Sequence, residues 1–124
     1  MANILILTNQ PEHEAILSQK GHKIFSFTDK GLALDCARSQ KLDLALVNAD
    51  LPAGLEALQG IRQANPEVRL ISVMDTPNLP RLREAISLGV QEILFNPMDA
   101  QELEIKVAKV AKVTKRNLKE ALSL

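Results

Sequence analysis

The sequence predicts an α/β domain in which five parallel strands carry helices on both faces. Short apolar, β-prone runs recur at 4–7, 24–27, 44–47, 70–74 and 93–95, roughly evenly spaced, and a helix-like stretch follows each. Three of these runs, ILIL, LALV and LISVM, are apolar nearly throughout, as strands covered on both faces must be. The 124 residues are 46% apolar and 24% charged, which suits one domain, 1–124, with a self-supporting core and no need for disulfides or a structural metal.

Each helical stretch is punctuated for a physical reason. Pro11 with Glu12 and Glu14 suits a first turn, where a missing N–H costs nothing and acids meet the positive end of the dipole. Gly21 suits a left-handed exit from that helix. Leu55, Leu58 and Ile61 form an apolar stripe that stops before Asn65 and Pro66, and Leu79, Leu82 and Ile86 form another that stops at Gly89. Asp99 followed by Glu102 resembles a capping box opening the last helix. That helix pattern runs over 99–122, roughly 35 Å at 1.5 Å per residue, so its end is expected to project as a linker or dimerisation helix. Val107, Val110, Thr114, Leu118 and Ala121 form a weak seam along it, and Lys106, Lys109, Lys112 and Lys115 lie on another face, read as solvated. The whole is a flavodoxin-like (βα)5 three-layer sandwich with strand order 2-1-3-4-5.

Composition removes several function classes. Fifteen basic and fifteen acidic side chains cancel, so no global field favours nucleic acid or an anionic membrane. Three Phe and no Trp or Tyr leave no stacking platform for single-stranded nucleic acid. No apolar run approaches the ~20 residues of a membrane span, and the first seven residues lack the basic region of a signal peptide. One cysteine, Cys36, fits a reducing compartment. The expectation is a cytoplasmic domain with no cofactor.

In open α/β sheets, ligands and reactive groups gather beyond the carboxyl ends of the strands. Here those positions hold Thr8 and Asn9, Asn48 and Asp50, Met74 and Asp75, and Asn96 and Pro97. They pair no nucleophile with a base, and three are asparagines, amides that hydrogen-bond but do not titrate. The reading is non-enzymatic, with no metal site.

At this point the chain resembles the receiver domains of two-component response regulators, from NILILTNQP through LDLALVNADLP and GLEALQGIRQANPEVRLISV to SLGVQEILFNP. The Pro four residues after Asn48, the GLEALQGIR helix and the ILFNP strand end carry the resemblance. It implies that an acid pair binding Mg²⁺ corresponds to Thr8 and Asn9. The phosphorylated Asp corresponds to Asn48, the hydroxyl residue to Met74, the aromatic switch to Ile93 and the Lys to Asn96, followed by a cis-proline, Pro97. Thr8, Asn9, Asn48, Met74, Ile93 and Asn96 all depart from the family pattern, and only the proline is kept. The segment between Pro52 and Gly54 is also shorter than usual in the family. The resemblance therefore implies a pseudo-receiver that signals by protein contact without phosphorylation.

Both charge signs have gone together, so Thr8, Asn9, Asn48 and Asn96 are expected to hydrogen-bond among themselves and to water. Met74 and Ile93 are expected simply to pack, holding the face of the fourth helix, fifth strand and fifth helix in one conformation. That face is the expected site for a protein partner or homodimer, with charge from Arg81, Arg83, Lys106 and Lys109 and apolar contact from Leu103 and Val110. Asp50 reads as a turn residue with no Lys beside it, Asp75 as a loop acid, His13 as a surface histidine, His22 as a strand-entry residue and Cys36 as a small core residue. A second reading makes the neutral pocket a small-molecule sensor; flavin is disfavoured because TNQPEHE places acids where a phosphate would dock.

Overall fold

The computed structural model describes residues 2–111. Strands β1 (Asn3–Leu7), β2 (Lys23–Phe27), β3 (Leu44–Asn48), β4 (Arg69–Met74) and β5 (Val90–Phe95) alternate with helices α1 (Pro11–Gln19), α2 (Lys30–Ser39), α3 (Gly54–Ala64), α4 (Leu79–Ser87) and α5 (Ala100–Ala111). The strands form one parallel sheet in the order β2-β1-β3-β4-β5. Its central strands are buried along almost their whole length, whereas the edge strands β2 and β5 are half-covered. No described helix is long and apolar enough to cross a membrane.

Because successive strand side chains point to opposite faces, each central strand feeds two cores. Leu5, Leu7, Ala45, Val47, Leu70 and Met74 meet Ala33, Cys36 and Ala37 of α2, Ala57, Leu58 and Ile61 of α3 and Ala85 of α4. Ile4, Ile6, Leu44, Leu46, Ile71 and Val73 meet Leu17 of α1 and Leu103, Val107 and Val110 of α5. Gly21 and Gly89 both adopt positive φ, 84° and 89°, where the chain leaves α1 and α4.

Helices α2, α4 and α5 are capped by side chains, whereas α1 and α3 begin without one. Asp29, Asn78 and Asp99 accept the N–H of Leu32, Arg81 and Glu102 at 2.9, 3.1 and 2.7 Å, opening α2, α4 and α5. At the opposite end of the sheet Arg62 is a clamp. Its guanidinium donates to the carbonyls of Pro66, Val68, Leu88 and Gly89 at 2.7 to 3.3 Å, tying α3 to the chain on either side of β4 and α4.

Three expectations change. Leu79 and Ile86 are exposed, and α4 instead covers the sheet through Ala85, with Leu82 and Leu88 half-buried. Leu103 and Val110 lie in the core, 0% and 3% exposed, because they share the inward stripe of α5 with Val107; they are unavailable to a partner. The predicted extension of the last helix to 122, with Lys112, Thr114, Lys115, Leu118 and Ala121, lies outside the described residues.

Candidate functional site

The loops after β1, β3, β4 and β5 converge above the carboxyl edge of the sheet. Asn48 ends β3, 1% exposed, and its Oδ1 accepts the Asp50 N–H at 2.8 Å in a local turn. Its Nδ2 has no hydrogen-bond partner among the described residues. The chain re-enters a helix almost at once. A Cβ at Gly54 would lie 2.8 Å from the Ala49 Cα and closer still to the Asn48 carbonyl, so the short 52–54 segment requires glycine.

Thr8 is buried and its Oγ1 accepts the Gln10 N–H at 3.2 Å, while Asn9 is exposed. Met74 is fully buried in the core beneath the site, and Ile93, half-buried on β5, packs against the same core opposite Ser72. The Asn96–Pro97 peptide bond is cis. Asn96 Nδ2 donates to Gln10 Oε1 at 2.7 Å and to Asp75 Oδ1 at 2.8 Å.

Asn48, Thr8 and Asn96 therefore stand around one edge of the sheet, but they bond to Asp50, Gln10 and Asp75 rather than to each other. Nor is the rim uncharged. Asp50 accepts the Asp75 N–H with Oδ2 and the Arg81 guanidinium with Oδ1, the latter at 2.5 Å. The basic neighbour that a reading of 48–52 cannot supply arrives from α4, and the β4–α4 loop brings in Asp75. Sequence distance hid both.

His13 is the other correction. It lies in the first turn of α1 but only 3% of it is exposed, because that turn leans on the β5–α5 loop. A cleft of about 360 Å³ opens there, walled by Gln10, Glu12, His13, Ile16, Asp75, Asn96, Pro97 and Met98. Burial holds the imidazole below its ordinary pKa, while the Glu12 carboxylate, hydrogen bonding with Asn96 and the Asp75 carboxylate pull the other way. One signal was available: His13 sits one helical turn before buried Leu17. His22 is also lowered, by partial burial and then by the N-terminal ammonium; its Nδ1 accepts the Ala2 N–H at 3.1 Å. Cys36 is buried and its thiol pKa is raised by burial, the opposite of an activated nucleophile.

On the opposite flank Lys106 and Lys109 of α5 reach Glu92 of β5 at 3.1 and 3.7 Å, so both are paired within the domain, and Arg83 is exposed. The exposed apolar groups of this region are Leu79, Ile86, Phe95 and Ile105. Ile105, two residues from Leu103, falls outside the inward stripe, which the helical period alone makes legible.

Comparison with known proteins gives a consistent picture. The model of the response regulator receiver domain family matches residues 8–108. A curated relative, the sensor histidine kinase AruS of Pseudomonas aeruginosa, is 27% identical over 111 residues, which is 85% of this chain and 11% of the relative. The chain thus spans about a ninth of the length of that protein. Among solved structures, a CheY-like response regulator receiver domain protein from Methanospirillum hungatei JF-1 superimposes with a TM-score of 0.83 at 20% identity, covering 90% of this chain and 94% of that one. The receiver domain of NtrX from Brucella abortus gives 0.83 at 21% identity, over 90% and 100%.

Proposed function

The chain belongs to the response regulator receiver domain family, and we propose that within two-component-type regulation it acts as a phosphorylation-independent, non-enzymatic module that signals by protein contact. The observation that carries this reading is the amide of Asn48, buried at the end of β3 with its oxygen held on the Asp50 N–H. An amide has no carboxylate to attack phosphorus, and in this low-exposure position a neutral group avoids the desolvation cost of an unpaired charge.

The surroundings support the same reading. Thr8 and Asn9 offer a hydroxyl and an amide where the family's divalent ion needs carboxylates, and among the described residues no group of three or more His, Cys, Asp or Glu is placed to hold a metal. The residues present do not fit Mg²⁺. Asn96 carries no positive charge to pair with a phosphoryl group. Met74 has no hydroxyl to be drawn toward one, so the flank of α4, β5 and α5 has no such trigger. We place the protein contact, with a partner or a second copy, on that flank, where exposed Ile86, Phe95 and Ile105 supply apolar area and Arg83 charge.

Incubation with acetyl phosphate and Mg²⁺, followed by intact-mass measurement, tests the reading. An unchanged mass is expected; an acid-stable, hydroxylamine-labile phosphoryl group on this chain, at Asp50 or elsewhere, overturns it. Light scattering across a concentration series tests the second copy: a dimer lost on truncation after Ala111 supports it, and a monomer at every concentration removes it.

A further inference from the structure

We propose that the cleft between α1 and the β5–α5 loop binds a small organic cation, an ammonium or guanidinium group on a short aliphatic stem. The cleft measures about 360 Å³ and two carboxylates, Glu12 and Asp75, stand on its wall, with no lysine or arginine among the described residues lining it. One Asp75 oxygen accepts from Asn96, which leaves its Oδ2 for a ligand. An anion is repelled by this pair, and although His13 shares the wall, among the described residues no group of three or more His, Cys, Asp or Glu is placed to hold a metal ion.

An independent observation lies in His13. Its side chain is part of the cleft wall, the residue is 97% buried, and Nδ1 has no hydrogen-bond partner among the described residues. The Nδ2 of Asn96 on the same wall already donates to Gln10 and Asp75, so what Asn96 has left to offer the ring is its oxygen, which suits a proton on the other ring nitrogen and leaves Nδ1 as a buried lone pair without a donor. A buried acceptor without a donor is costly, and the group that relieves it must bring N–H bonds. Two carboxylates on the same wall call for the same N–H bonds carrying positive charge. Ile16 and Met98 on the wall give an aliphatic stem apolar contact, which a hydrated inorganic ion would not use.

This goes beyond the phosphorylation-independent reading and does not need it: uptake of phosphoryl is read by mass, uptake of a cation by spectral shifts. The test is an amide ¹H–¹⁵N titration of the full chain with n-butylammonium and n-butylguanidinium, using n-butanol and butyrate as neutral and anionic probes on the same stem. Saturable shifts at Glu12, His13, Asp75 and Met98 are expected from at least one of the two cations and from neither control. Glu12→Gln, an exposed change in the first turn, should weaken binding about three- to fivefold, the value of one partly exposed charge contact, and Glu12→Lys should abolish it. Equal shifts from n-butanol, no saturable shift from either cation, or affinity untouched by Glu12→Gln would each overturn the proposal.

Discussion

The Asp50 carboxylate, two residues past the end of β3, grips the Arg81 guanidinium of α4 at 2.5 Å while its other oxygen accepts the Asp75 N–H. One side chain thus joins the β3–α3 loop, the β4–α4 loop and the first turn of α4. The linkage uses only groups of the chain itself. Asp75 passes it on to Asn96, and Asn96 to Gln10, so the rim of the sheet is strapped from α4 to α1.

Breaking that strap should loosen α4 without unfolding the domain. Arg81 is about a third exposed, so water screens the pair, and the coupling measured in an Asp50→Ala, Arg81→Ala double-mutant cycle should be about 1 kcal/mol or less. Amide exchange in α4 should accelerate in each single variant, and in the wild-type protein the coupling should weaken as salt is added. A cycle that sums to zero at low salt would show that the contact stabilises nothing.

Leu103 and Ile105 separate the core of α5 from its surface. Leu103→Ala removes a fully buried side chain from the face shared with Ile71 and Val73 and should cost about 2–5 kcal/mol in urea unfolding. Ile105→Ala, at a residue 57% exposed, should stay within about 0.5 kcal/mol. Similar costs for both would place the helix in a different rotation.

Arg62 holds its four carbonyls with a planar fork of donors, and burial lowers its pKa. Arg62→Ala should destabilise by about 2–4 kcal/mol, since hydrogen bonds to a charged donor are lost at several carbonyls together. Arg62→Lys should recover only part, because a point charge cannot span carbonyls on both sides of the turn. Thermal unfolding of the two variants checks the order.

His13 and His22 set an acid limb to stability. Both have folded pKa values below the ordinary 6.5, so below about that pH the unfolded chain binds protons more readily than the folded one. Stability should therefore be full above pH 6.5 and fall as pH drops through the window beneath it, levelling below the folded values. His13→Gln should remove its own share of that decline and leave the share due to His22. A His13→Gln variant with an unchanged slope between pH 7 and 5 would show that the decline arises elsewhere.

The architecture was legible because it rests on local signals. Apolar runs at 4–7, 44–47 and 70–74 can be satisfied only by strands buried on both faces, and Pro11, Gly21, Gly89 and Asp99 mark helix ends by conformational rules that act within a few residues. The apolar run at 93–95 marks only the end of edge strand β5, since Val90, Gln91 and Glu92 carry no continuous apolar run; pairing with β4 supplies what their own pattern does not. Asp29 and Asn78 cap α2 and α4 as Asp99 caps α5, residue types that also suit plain turns and so mark a cap only once the helix is in place.

By itself, then, the sequence determined the order of elements, the two-sided core, and the amides and hydroxyl that stand at the strand ends, because each follows from periodicity or from residue chemistry at a known place in a βα unit. Only the tertiary structure decided that Arg81 meets Asp50, that Asn96 bonds to Gln10 and Asp75, and that His13 is enclosed rather than exposed. Those contacts join residues 31, 86 and 21 positions apart, and a side chain's partners at such separations depend on how helices settle against the sheet, which no local pattern encodes.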